Sequence, residues 1–158
     1  MRQSLVKLAV LGLSVALSLA VVHAQDDEAF IEYRQKVMQG ISANMGATGG
    51  ILKNKLPYGS HIATHASEIN MLSKLIEAAF KKDITAGKTD AKPEIWQDWQ
   101  KFAAAVEALS QESAKLATMA SSGDMAAIGE QVKALGKACG DCHKPFRKPK
   151  EESYKNVK

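Results

Sequence analysis

Cys139 and Cys142 are the only cysteines in the 158-residue chain, and His143 follows directly after the second. On a helix these three positions stand at i, i+3 and i+4, so all three project from one face. That arrangement is the attachment signature of c-type haem. Each thiol can add to one vinyl group to form a thioether, and the imidazole can reach the iron from the same side. The motif uses both cysteines, so no structural disulfide remains. A thiol–disulfide oxidoreductase would place Cys-x-x-Cys in a βαβ setting, and no such pattern surrounds it. A zinc site wants four ligands, and no second Cys/His pair at finger spacing is present. The motif therefore predicts one covalent haem c, held by Cys139 and Cys142, with His143 as proximal iron ligand.

The start of the chain reads as an export signal. Arg2 and Lys7 precede an apolar run from Leu8 to Val22, and Val22-His23-Ala24 has the small-residue pattern of a cleavage site. The run is shorter than the roughly 20 residues that a spanning helix needs. Residues 1–24 are thus expected to be a cleaved signal peptide, leaving no membrane span and placing the protein in the periplasm, where bacterial c-type haem is attached. The remaining 134 residues suit one domain with a single core. Removing Arg2 and Lys7 from the 21 basic residues leaves 19 against 17 acidic ones, a charge near +2. Two haem propionates would bring the balance near zero, so nothing supports nucleic-acid binding. The basic excess gathers after the motif, in Lys144, Arg147, Lys148, Lys150, Lys155 and Lys158. Such a run is either a solvated, frayed tail or a docking patch.

From Asp26 onward the apolar spacing is helical. Asp26 or Asp27 can cap a first helix, whose stripe is Phe30, Tyr33 or Arg34, Val37, Met38, Ile41 and Met45. Gly46, Gly49 and Gly50 loosen its end, and Pro57 forces a turn. Ser60 is a candidate cap for a second helix carrying Ile62, Ala66, Ile69, Leu72, Ile76 and Ala79. Residues 81–91 read as a loop. Pro93 opens a third helix with Ile95, Trp99, Phe102, Val106, Leu109 and Leu116. Asp124 caps a fourth, which carries Met125, Ile128, Val132, Leu135 and Cys139 inward. Met71, Met119 and Met125 read as core filler. The fold predicted is all-α, an antiparallel four-helix bundle with haem near the end of the last helix.

Four segments carry a family resemblance: the C-terminal Cys-x-x-Cys-His, Tyr33-Arg34-Gln35, Pro93-Glu94-Ile95-Trp96, and His143-Lys144-Pro145-Phe146-Arg147. Together they resemble class II c-type cytochromes, the cytochrome c' family, itself a standard example of the bundle architecture. The likeness spans about residues 27–150, so residues 25–150 form the expected cytochrome domain and 151–158 a basic polar tail. It implies that the first helix crosses the haem face opposite His143. High-spin members carry a bulky apolar residue four positions after the arginine and leave iron five-coordinate. The low-spin branch carries a ligating methionine there, and here that position is Met38. Thioether ligation favours ferrous iron and suits electron transfer. Met38 can also be read as a core methionine, and Met45 as a weaker ligand.

The resemblance also implies that Arg34 approaches a propionate or the distal pocket. Arg147 would hydrogen-bond a propionate or screen the imidazole, and Phe146 would cover the haem edge or serve equally well as a core residue. His61 and His65 are four apart, a spacing that can hold a metal, but no third ligand is near and exposure on a polar face explains them better. Trp96 and Trp99 read as core aromatics. No catalytic triad or phosphate-cradling loop appears, so no enzyme machinery is expected beyond the iron. The function expected is a periplasmic one-electron carrier, monomer or homodimer, docking an acidic surface of a redox partner. The alternative is a five-coordinate protein binding nitric oxide or carbon monoxide.

Overall fold

The computed structural model describes the backbone of residues 2–156 and the side chains of residues 26–156, so the expected signal and its cleavage site lie outside the described side chains. Six helices make four rods. They are α1 (Arg2–Lys53), α2 (His61–Ser73) continued by α3 (Ile76–Phe80), α4 (Glu94–Gln97) leading into α5 (Trp99–Ala120), and α6 (Met125–Phe146). Packing runs α1 on α2, α2 on α5, and α5 on α6. The fold is the all-α four-helix bundle that the periodicity predicts. Among the described residues there is no strand, only an isolated antiparallel bridge between Ala91 and Arg147. No helix among them is long and apolar enough to cross a membrane.

Ile62, Ile69, Ile95, Leu116, Ile128 and Leu135 are fully buried, and with Val37, Ile41 and Ile51 of α1 they belong to one core shared by all four rods. Each such side chain contributes about 1.5–3 kcal/mol by leaving water. The first and last rods, α1 and α6, do not pack closely on each other. That gap is where the site lies.

Several local expectations are corrected. On α1 the inward positions are Ile31 and Arg34, while Phe30 and Tyr33 are exposed. Neither Asp26 nor Asp27 caps a helix, because α1 passes through both; Asp27 instead pairs with Lys82 at 2.6 Å. The three glycines do not end α1, since its backbone bonds continue to Lys53 around the buried Thr48. Ser60 makes no capping bond; the first turn of α2 is held by the preceding turn, with His61 N donating to Tyr58 O at 2.9 Å. The second rod breaks at Lys74–Leu75, and the third is interrupted at Asp98. Met71 and Met125 are exposed rather than core filler. Asp124 does cap α6, accepting from Ala126 N at 3.0 Å and Ala127 N at 3.1 Å.

The segment after α6 is not a frayed tail as far as Asn156. It turns through a short 3₁₀ helix (Lys150–Glu152) and returns to the body, burying Ser153.

Candidate functional site

A cavity of about 620 Å³ lies between α1 and α6. Its α6 wall carries Cys139, Cys142 and His143, its α1 wall Arg34, Met38 and Met45, and Phe146 and Arg147 line it at the end of α6. All seven residues singled out in the sequence as site candidates therefore meet at one place, with Met45 beside them. His61 and His65 do not line it. His61 stacks on Tyr58 with ring centroids 5.1 Å apart, and His65 Nδ1 lies 2.8 Å from Asn44 Oδ1, tying α2 to α1.

Helix geometry produces the α6 wall. Cys139, Cys142 and His143 fall within one turn, on the face of α6 whose Ile128, Leu135 and Phe146 are buried in the core, and Ala138 lines the cavity beside them. Both cysteines are half-buried free thiols. Burial, reinforced by the neighbouring Cys139, pushes the Cys142 thiol up to about 11, and burial raises Cys139 too. A redox-active thiol needs the opposite shift, toward the thiolate. This electrostatic setting counts against the thiol oxidoreductase reading. For His143, partial desolvation and then the charge of Arg147 lower the pKa below the ordinary imidazole value. Both effects favour the neutral ring, which is the form that binds metal.

Arg34 is the least expected member of the α1 wall. It is 3% exposed and its donors go to backbone carbonyls after α2. Nε donates to Ala79 O at 2.9 Å, Nη1 to Ile84 O at 3.1 Å, and Nη2 to Lys82 O. The guanidinium carbon sits 5.0 Å from the Phe80 ring centre and 5.2 Å from that of Trp96. Burial lowers its pKa against the pull of Asp83 and Asp27, yet guanidinium stays charged. Arg34 thus latches the 79–84 segment under the cavity wall. Three of its five donors are committed there rather than free for a propionate.

At the end of α6, Phe146 lies in the core, 4% exposed, and meets Phe102 edge-on at 5.4 Å. Trp96 and Trp99 pack against the core, as read, and Trp96 Nε1 donates to Phe80 O at 2.8 Å. Arg147 Nη2 stands 3.7 Å from Asp90 Oδ2. Sequence reasoning missed Gln35, Asp90, Tyr154 and Lys155, which also line the cavity. The signals available were an aromatic ring at position 154 in a charged tail, Lys155 in the basic run, and Gln35 beside Arg34.

These residues fit haem. The ring needs a slot with apolar walls, two thiols and an imidazole on one of them, and cations at the open end for two carboxylates. Ile31, Ile41, Ile76, Ile95 and Val106 supply the walls, and the volume is that of a cofactor site. The separation of α1 from α6 supplies the slot. Cys139, Cys142 and His143 would hold the group.

Fold and site together define a helical-bundle protein built around c-type haem. The sequence model of the family described as Cytochrome C' matches residues 29–147. A cytochrome c' of Rhodospirillum rubrum is 38% identical over 140 residues, covering 87% of this chain and 95% of that protein. The solved cytochrome c prime from Shewanella frigidimarina aligns with TM-score 0.72 and 33% identity, over 78% of this chain and 97% of the other. A ferrous variant of cytochrome c prime from Alcaligenes xylosoxidans with bound NO aligns with TM-score 0.69 and 30% identity, over 78% and 97%. The chain belongs to the cytochrome c' family and binds c-type haem covalently through its cysteine pair.

Proposed function

We propose that the protein is a one-electron carrier of the periplasm in which His143 and Met38 hold the haem iron from opposite walls. The observation that carries this reading is that Met38, on α1, and His143, on α6, line the same cavity. Haem supplies the one-electron couple of its iron. The chain's residues tune and protect that couple. Cys139 and Cys142 fix the group to α6, and the neutral imidazole of His143 offers its ring nitrogen. The soft sulfur of Met38 favours the ferrous state and raises the potential. The isoleucine walls exclude water and keep the local dielectric low.

Beside the cavity runs an open groove of about 1000 Å³ lined by His143, Lys92, Lys144, Lys148 and Lys150. This positive surface next to the haem edge suits an acidic patch on a redox partner, with fast and weak association. The rate of electron exchange with such a partner is expected to fall steeply as salt is raised. A salt-insensitive rate would remove the basic rim from the mechanism.

The spectrum of the reduced protein, with and without carbon monoxide, tests the ligation. Sharp α and β bands that resist the gas are expected, and Met38→Ala should convert them to a broad high-spin spectrum that shifts on adding it. A wild-type spectrum that is already high-spin and gas-sensitive would replace the carrier by the second reading, binding of nitric oxide or carbon monoxide at an open distal site. That reading is supported by the NO-bound relative from Alcaligenes xylosoxidans and by the flexibility of methionine, which can pack beside iron without binding it.

A further inference from the structure

We propose that residues 148–156 are a strap that completes the haem site, with Lys155 and Tyr154 binding a haem propionate at the cavity mouth. The segment lies beyond residues 29–147, which the family's sequence model matches. One residue, Asp90, organises it through its backbone carbonyl and its carboxylate. Lys148 N donates to Asp90 O at 2.8 Å, Ser153 Oγ to Asp90 Oδ2 at 3.0 Å, and Tyr154 N to Asp90 Oδ1 at 3.0 Å. Lys148 Nζ adds a bond to Thr89 O at 3.2 Å. Both ends of the strap are therefore tied to the loop before α4, and Ser153 is buried beneath it.

This anchoring sets Tyr154 and Lys155 on the cavity lining. Gln35 Nε2 on α1 donates to Tyr154 Oη at 3.2 Å and to Lys88 O at 2.7 Å. The phenol oxygen thus accepts from the protein, and its own proton is left to donate. Lys155 Nζ rests 5.7 Å from the Tyr154 ring centre, and among the described residues it pairs with no carboxylate. Asp90 is the one acidic residue of the cavity lining, and the strap and Arg147 already occupy it. A hydroxyl donor and an uncompensated cation at the open end of an apolar slot match an anionic oxygen pair. Haem presents its carboxylates at the edge away from the macrocycle's buried side. With three donors of Arg34 committed to the 79–84 segment, the strap supplies the carboxylate partner at this end of the slot.

The inference rests on haem filling this cavity, and the two can fail separately. Pyridine haemochrome content of the matured wild-type protein comes first; no haem would overturn both. With haem present, resonance Raman spectra of the ferrous protein read the propionate bending band directly. Lys155→Gln and Tyr154→Phe are each expected to shift that band, and Lys155→Arg to restore it. Lys155→Gln should also lower the midpoint potential, because removing a nearby cation favours the ferric state. A propionate band unmoved in both single variants, at full haem content, would overturn the strap's role while leaving the haem reading intact.

Discussion

Arg34 holds the distal wall by spending its charge on backbone. Its three carbonyl partners are 45, 48 and 50 residues away in sequence, so no local pattern could announce them. An arginine on a helix reads by default as a solvated side chain, and the resemblance places this one at a propionate or in the distal pocket. It lines the cavity, and its packing against Phe80 and Trp96 adds the role of a latch. Replacing it by methionine would leave three carbonyls without their donors, each worth about 1–3 kcal/mol if buried and unmet. Partial access of water reduces that sum, so Arg34→Met should destabilise the holoprotein by roughly 3 kcal/mol or more in urea unfolding. Lysine should not rescue it, since a single ammonium cannot reach three divergent acceptors. Rescue by Arg34→Lys would show that charge alone suffices. The haem attachment residues behave oppositely. Cys139, Cys142 and His143 were legible because one helical turn brings them together without help from the rest of the chain.

Helix faces were legible where a stripe was purely apolar and uninterrupted. Phe102, Val106, Leu109 and Leu116 are buried along α5 as their spacing predicts. Breaks were not legible, because they depend on what a side chain finds across the turn. At Asp98 the backbone leaves helical geometry (φ −133°, ψ 67°) so that its carboxylate can accept from Lys101 N at 3.1 Å, starting α5 afresh. Pro93 therefore opens only the short α4, and the aspartate after it opens the long helix. The capping turn before α6 was readable, since Ser121-Ser122-Gly123-Asp124 combines a breaker with a strong cap; Gly123 there has φ +75°. Asp124 satisfies two otherwise unpaired amides, so Asp124→Ala should lower stability by about 1 kcal/mol. The shift belongs in the unfolding midpoint at unchanged denaturant slope, and Asp124→Asn should recover most of it. An alanine variant as stable as the parent would mean that the turn alone starts α6.

At the scale of the molecule, three rod-to-rod seams are made by the chain and the fourth, between α1 and α6, is left to the cavity. Sequence reasoning reached the bundle and the haem, but not this division of labour, which depends on the distance between helices rather than on either helix alone. Without haem, the cavity of about 620 Å³ leaves Ile31, Ile41, Ile76, Ile95 and Val106 facing water across an open slot. Apolar surface left in water favours closure of such a slot. The haem-free chain is therefore expected to close the walls onto one another. Local backbone bonds keep the helices, whereas the α1–α6 relation loses its cause. A Cys139→Ser, Cys142→Ser double variant made without haem should retain most far-ultraviolet helical signal. It should lose the near-ultraviolet signal of Trp96, Trp99 and Tyr154 and melt broadly at lower temperature. A haem-free protein with a sharp transition at the holoprotein's Tm would mean that the walls support themselves, and that the cofactor is cargo rather than the fourth seam of the bundle.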